Sequence, residues 1–115
     1  MGYFLHNILS YNEYNIEHNN VIVGKAGLTS TTHNNKRQLI ITNFEIFEEF
    51  RNKLHGTQFI RRIIYNYKTK YDLIVCDVDV NNEKAIRFYE RLGEVLKDTI
   101  TEDNTYRVIL YEKKY

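Results

Sequence analysis

Hydrophobic and polar positions change their period near the middle of the chain. In the first half apolar residues recur in short runs with period-two character, and residues 3–10, 14–18 and 21–28 read as strands. Asn19 and Asn20 separate the second run from the third, and an Asn pair tolerates the positive φ of a two-residue hairpin turn. Residues 29–36 are polar and read as a loop turning at Asn34 and Asn35. Residues 38–47 form a long strand. Strict alternation puts Leu39, Ile41, Asn43, Glu45 and Phe47 on one face, and Ile40, Thr42, Phe44 and Ile46 on the other.

Helical spacing takes over beyond residue 55. Phe59, Ile60, Ile63, Ile64 and Tyr67 line one side of a helix over 56–68, with Arg61, Arg62 and Asn66 outside. Residues 73–80 begin Leu-Ile-Val-Cys, a strand buried on both faces and suited to a parallel or central position. Asn81 or Asn82 then caps a helix running to Leu92, with Ala85, Ile86, Tyr89 and Leu92 inward and Gly93 as its stop. Residues 95–101 and 106–111 close the chain as a hairpin. The order β-β-β-β-α-β-α-β-β requires at least one right-handed parallel crossover, so the class is α/β or α+β with a mixed sheet.

Composition narrows the picture. A chain of 115 residues, 43% hydrophobic and 27% charged, fits one globular domain. Its apolar runs fall far short of the roughly 20 residues that cross a bilayer, and no signal-peptide layout opens it. One cysteine excludes an internal disulfide and a cysteine-based zinc site. A reducing, cytoplasmic setting is the default expectation. His6, His18, His33 and His55 show no metal-ligand spacing. A net charge of +1 gives no global nucleic-acid signature. Heavy use of Asn, Ile, Lys and Tyr, with no Pro or Trp, is the mark of an AT-rich genome such as that of a low-GC bacterium or its phage.

Two segments carry candidate chemistry. Residues 51–58, Arg-Asn-Lys-Leu-His-Gly-Thr-Gln, join the long strand to the first helix. A helix N-terminus offers free N–H groups and a favourable dipole to an anion, and Arg51 and Lys53 add charge. Six Lys or Arg and no acid fall within residues 51–71, and on composition alone this reads first as a solvated basic face. The second segment, residues 82–93, taken alone is a capped amphipathic helix with Tyr89 as core.

Together the two segments resemble the GNAT N-acetyltransferase family. Its first signature, Gln/Arg-x-x-Gly-x-Gly/Ala, corresponds to Arg51-Asn52-Lys53-Leu54-His55-Gly56, and its second to Asn82-x-x-Ala85-x-x-x-Tyr89-x-x-x-Gly93. The resemblance spans about residues 21–111. It implies a mixed, mostly antiparallel sheet with a splayed central parallel pair, 38–47 and 73–80, and two main helices. Acetyl-CoA would be co-substrate, with no metal. Its pyrophosphate would sit on the backbone of Asn52, Lys53, Leu54, His55, Gly56 and Thr57, helped by Arg51. Its pantetheine arm would pair with backbone at Ile46 and Phe47, as an added strand does. Asn82 would hydrogen-bond the pantetheine or nearby backbone. Tyr89 would be general acid to the leaving thiolate and Glu45 general base, with Asn43 and Asp79 lining the acceptor side.

The sequence departs from the family in three places. Leu54 stands at the first motif glycine, Glu94 replaces the usual Phe after Gly93, and the N-terminal part has room only for strands. The acceptor side would then be open, which favours an amine on a protein, a lysine or an N-terminus, and leaves room for a homodimer. A catalytically inactive member acting as a binding or inhibitory protein is the alternative reading. A small unrelated module holding nucleic acid through residues 51–70 is a third. Cys76, mid-strand, reads as a small buried hydrophobe, and Asp77 and Asp79 share one strand face.

Overall fold

A computed structural model of the chain describes residues 3–7 and 12–114. It contains β1 (Tyr3–Asn7), β2 (Glu13–His18), β3 (Val21–His33) and β4 (Lys36–Ile46), then a single turn of 3-10 helix, Glu48–Phe50. α1 (His55–Tyr67), β5 (Leu73–Asp79), α2 (Glu83–Glu90), β6 (Glu94–Ile100) and β7 (Thr105–Glu112) follow. The expected order of elements is the observed one; of the first expected strand, residues 8–10 lie outside the described residues. The strands form one sheet in the order β1-β2-β3-β4-β5-β7-β6. All neighbours run antiparallel except β4 and β5.

Two crossovers, β4-α1-β5 and β5-α2-β6, move across the sheet in the same direction, and right-handed connections then place both helices on one face. Phe59, Ile60 and Ile63 of α1 and Ile86 and Tyr89 of α2 accordingly share one buried cluster with Leu39, Ile41, Ile74, Cys76 and Val78 of the central strands. Among the described residues no helix covers the opposite face.

The polar run 29–36 is not a loop. Residues 29–33 continue β3, pairing Thr29 through His33 with Ile40 through Lys36, and only Asn34 and Asn35 turn. Threonines at 29, 31 and 32 suit an exposed strand as well as a loop, and their β-branched stiffness decides it. Both Asn pairs take the expected left-handed turn, with φ of 52° and 67° at Asn19 and Asn20, and 52° and 63° at Asn34 and Asn35. Among the described residues no glycine has positive φ. Asn and Leu54 supply every left-handed position.

One of these positions alters the site. Lys25 pairs with Glu45, but Gly27 pairs with Thr42, so Ala26 stands opposite two residues, Asn43 and Phe44. This is a β-bulge with Asn43 at φ 48°. The alternation shifts by one across it. Leu39 and Ile41 are buried before the bulge, and Phe44 and Ile46 pack against the core after it. The expected grouping of Leu39 and Ile41 with Asn43 and Glu45 is therefore corrected: Asn43 and Glu45 are exposed.

Gly93 does not end α2 in a left-handed turn. It donates its N–H to the Tyr89 carbonyl at 2.9 Å and lies so close to β7 that an added Cβ would meet the Ile109 carbonyl oxygen at 2.2 Å. The obstacle is backbone and cannot swing aside. Gly93→Ala should cost about 2 kcal/mol or more in a urea denaturation series.

Candidate active site

The central parallel pair is held together only from Gln38↔Leu73 to Ile41↔Cys76. Beyond that point the strands part: β4 bulges at Asn43, while β5 continues to pair with β7 on its other edge. The fork holds a chamber of about 350 Å³ lined by residues 40–44, Cys76, Asp77 and Tyr89. A larger groove of about 710 Å³ extends from it, between residues 44–57 and the outer side of α2. Phe44 and Tyr89 border both spaces.

The groove ends at the first turn of α1. Leu54 precedes the helix with φ 64° and ψ 12°, and its carbonyl accepts the Gln58 N–H at 3.0 Å. The position demands the left-handed conformation that a glycine adopts freely, and a leucine holds it at a cost of about 1 kcal/mol. Its side chain is 68% exposed, so little burial offsets the cost. Leu54→Gly should raise stability by about 0.5–1 kcal/mol, read as a shift in denaturation midpoint. Gly56, inside the first turn, allows close approach: a Cβ there would lie 3.2 Å from the Phe88 ring.

Several sequence-derived residues gather at this end, and His55, Gly56, Thr57 and Asn52 line the groove as expected. The His55 ring lies 5.1 Å from that of His18 and 6.3 Å from that of Phe50. Burial, then His18 and Lys53, hold its imidazole below the usual histidine pKa. Phe50 and Phe88 also line the groove, and neither carries a sequence signal: Phe50 precedes the first motif and Phe88 falls between the anchor positions of the second.

Other expectations change in detail. Arg51 turns back onto β4, its Nε donating to the Ile46 carbonyl at 2.8 Å and its guanidinium 3.6 Å from Glu45. Glu45 also lies 3.9 Å from the Lys25 ammonium. It borders the groove, not the chamber, and braces the loop that leads to α1. The Phe47 N–H donates to Val23 at 2.8 Å and so serves the β3 edge. Asn82 is the N-cap of α2, its side chain accepting the Ala85 N–H at 3.1 Å, and it still lines the groove. Asp79 accepts the Asn81 N–H at 2.7 Å in the turn before α2 and does not line the chamber.

Asp77 does. The sequence had paired it with Asp79, but only Asp77 sits where the strands separate. Its Oδ1 accepts from Arg107 Nε at 2.6 Å across the β5-β7 pair. Tyr89 is 7% exposed, and burial pushes its phenol well above the ordinary tyrosine pKa, so it remains a proton donor at any physiological pH.

Residues 4–93 match the model of the acetyltransferase (GNAT) family. The chain belongs to that family. The match takes in both sequence signatures and the fork between β4 and β5. No significant match is found among curated proteins. Solved structures share the fold. A chain of the NatC complex bound to Gag peptide and CoA superimposes with TM-score 0.67 at 17% identity, over 88% of this chain and 71% of that one. Arabidopsis thaliana Naa50, in complex with the bisubstrate analogue CoA-Ac-MVNAL, gives 0.60 at 17% identity over 90% and 72%. A GNAT acetyltransferase from Elizabethkingia anophelis with acetyl-CoA bound gives 0.59 at 22% identity over 84% and 71%. The protein is thus a GNAT acetyltransferase built on seven described strands and two α-helices.

Proposed function

We propose that the protein moves an acetyl group from acetyl-CoA to an amine carried by a polypeptide. The observation that carries this reading is the position of Tyr89, which borders both the groove and the chamber. A thioester bound along the groove, with its phosphates at the first turn of α1, would present its sulfur beside this hydroxyl. The groove fits such a ligand: its far end is a helix N-terminus lined also by Arg51 and Asn52, and its walls include Phe44, Ile46 and Phe88.

The residues divide the work by position. Tyr89 donates a proton to the departing thiolate. Asp77 is the carboxylate of the chamber and takes the proton from the attacking amine, directly or through a water, while Arg107 fixes its orientation. Glu45, held by Arg51 and Lys25, is assigned a bracing role. The bulge at Asn43 interrupts the β3-β4 ladder beside the chamber, so that backbone at 43–44 faces the place where carbonyl charge develops.

A polypeptide acceptor is favoured by the sheet face that no described helix covers. Ile40, Thr42 and Ile109 are only half-buried there, and Asp77 opens onto it. The bound peptide of the NatC structure and the bisubstrate analogue of the Naa50 structure support the same class of acceptor. The reading is tested by incubating the protein and acetyl-CoA with two peptide sets, one with free N-termini and no lysine, the other N-terminally blocked with one lysine, and weighing the products. Acetylation of either set supports it and names the amine. Binding of acetyl-CoA with no transfer to either would favour the inactive, partner-binding alternative.

A further inference from the structure

The outer side of α2 carries charge that the roles assigned above do not use. Lys84, Arg87 and Arg91 all line the groove, and all three are exposed. They stand four residues before, one before and three after Phe88, so they surround its ring on one side of the helix. Phe88 faces the first turn of α1, where a Cβ on Gly56 would meet its ring at 3.2 Å. The three cations therefore stand across the groove from the helix N-terminus. Nothing in the protein balances them. Among the described residues none of the three side chains has an ion-pair or hydrogen-bond partner. Glu83 and Glu90 lie at helical spacing from Arg87, which suits pairing, yet neither pairs with it, and Glu90 is held by Lys97 of β6 at 2.7 Å. Glu45 is the one carboxylate lining the groove, and Arg51 and Lys25 already engage it. Like charges on one helix stripe repel one another, and a bound anion would relieve that repulsion.

We propose that Lys84, Arg87 and Arg91 form a site for the 3′-phosphate of the CoA ribose and make the protein selective for CoA over 3′-dephospho-CoA. The inference rests on the reading of the groove as the acetyl-CoA site. The two ends of the nucleotide ask for different partners. The pyrophosphate has a single charge on each phosphate and suits the backbone N–H groups of the first turn of α1. The 3′-phosphate is a terminal monoester carrying about −1.5 to −2 charge near neutral pH, one ribose away, and it calls for side-chain cations. A guanidinium can hold two of its oxygens at once, and an ammonium adds a point charge. Arg51 cannot serve both ends, since its side chain is tied to the Ile46 carbonyl and Glu45. From Lys84 to Arg91 the stripe is about 10 Å long at helical rise, the scale of one ribose phosphate and too short for an extended acidic chain.

Calorimetric titration with CoA and with 3′-dephospho-CoA tests the proposal, and neither ligand needs an acceptor. The parent should bind the dephospho form about 30-fold more weakly than CoA. Lys84→Gln, Arg87→Gln and Arg91→Gln keep an unbranched, helix-compatible side chain at an exposed position, so each should melt like the parent. Each should weaken CoA by about threefold or more and leave dephospho-CoA within about twofold, and the triple variant should bind both ligands alike. Equal affinity of the parent for the two ligands would overturn the proposal. So would the same loss for both ligands in the variants, which would make the three cations a general attraction for anions. Binding of neither ligand by cooperatively folded parent would instead remove the reading of the groove itself.

Discussion

Tyr89→Phe should lower kcat by about 10²-fold while leaving KM for acetyl-CoA within about twofold. The split follows from position. The phenol ring packs against the core beneath α2, with Phe88 at 5.0 Å from it edge-on, and phenylalanine keeps that volume. Only the hydroxyl is lost, and the hydroxyl matters when negative charge gathers on the leaving sulfur. A neutral phenol contributes little to holding the ground state, so binding should change little. Without the donor, the thiolate must leave unprotonated or recruit a water into a chamber of about 350 Å³. Steady-state kinetics at saturating acceptor read the effect, and a circular dichroism melt shows whether the fold is kept. An equal fall in affinity and kcat would mean that the side chain is a structural support only.

Gly56→Glu should weaken acetyl-CoA binding by about 10²-fold, with the fold retained. The glycine lies in the first turn of α1, and a Cβ there would point between the Phe88 ring at 3.2 Å and the Phe44 ring at 3.7 Å. Both neighbours are ends of aromatic side chains, which can yield by the few tenths of an ångström required. A carboxylate near a helix N-terminus interacts favourably with the dipole, so stability should hold. The same carboxylate would occupy the end of the groove where phosphates are proposed to bind. Like-charge repulsion at about 4 Å is worth about 1–4 kcal/mol, and about 2.7 kcal/mol corresponds to the stated loss. Acetyl-CoA should raise the melting temperature of the parent and not of the variant, with Gly56→Ala responding like the parent.

The same physics explains what the sequence revealed and what it concealed. Strand and helix order was legible because the apolar period changes from two to nearly four, and because Asn pairs at 19–20 and 34–35 can sit at positive φ. The α2 segment was legible because Asn82, Ala85, Tyr89 and Gly93 each answer a local need: a cap, a small core contact, a buried ring and a close backbone approach. The bulge at Asn43 was not legible. An asparagine within a strand reads as a polar side chain, and only its left-handed backbone shows that everything after it has changed face. That single shift carried Glu45 out to Arg51 and Lys25. The choice between Asp77 and Asp79 was equally hidden, since it depends on where β4 and β5 stop pairing and on a side-chain turn at Asn81. Leu54 was visible as a departure from the family pattern, but its conformation was not: the chain keeps the glycine geometry without the glycine.

The most direct test of the account is a calorimetric titration of the folded protein with acetyl-CoA. The groove between α1 and α2 predicts saturable one-to-one binding with a dissociation constant on the order of micromolar, competed by free CoA. No heat of binding, from protein whose thermal unfolding is cooperative, would show that the groove beside Leu54 does not accept the co-substrate and would contradict the assignment of the fork as a working acetyl-transfer site.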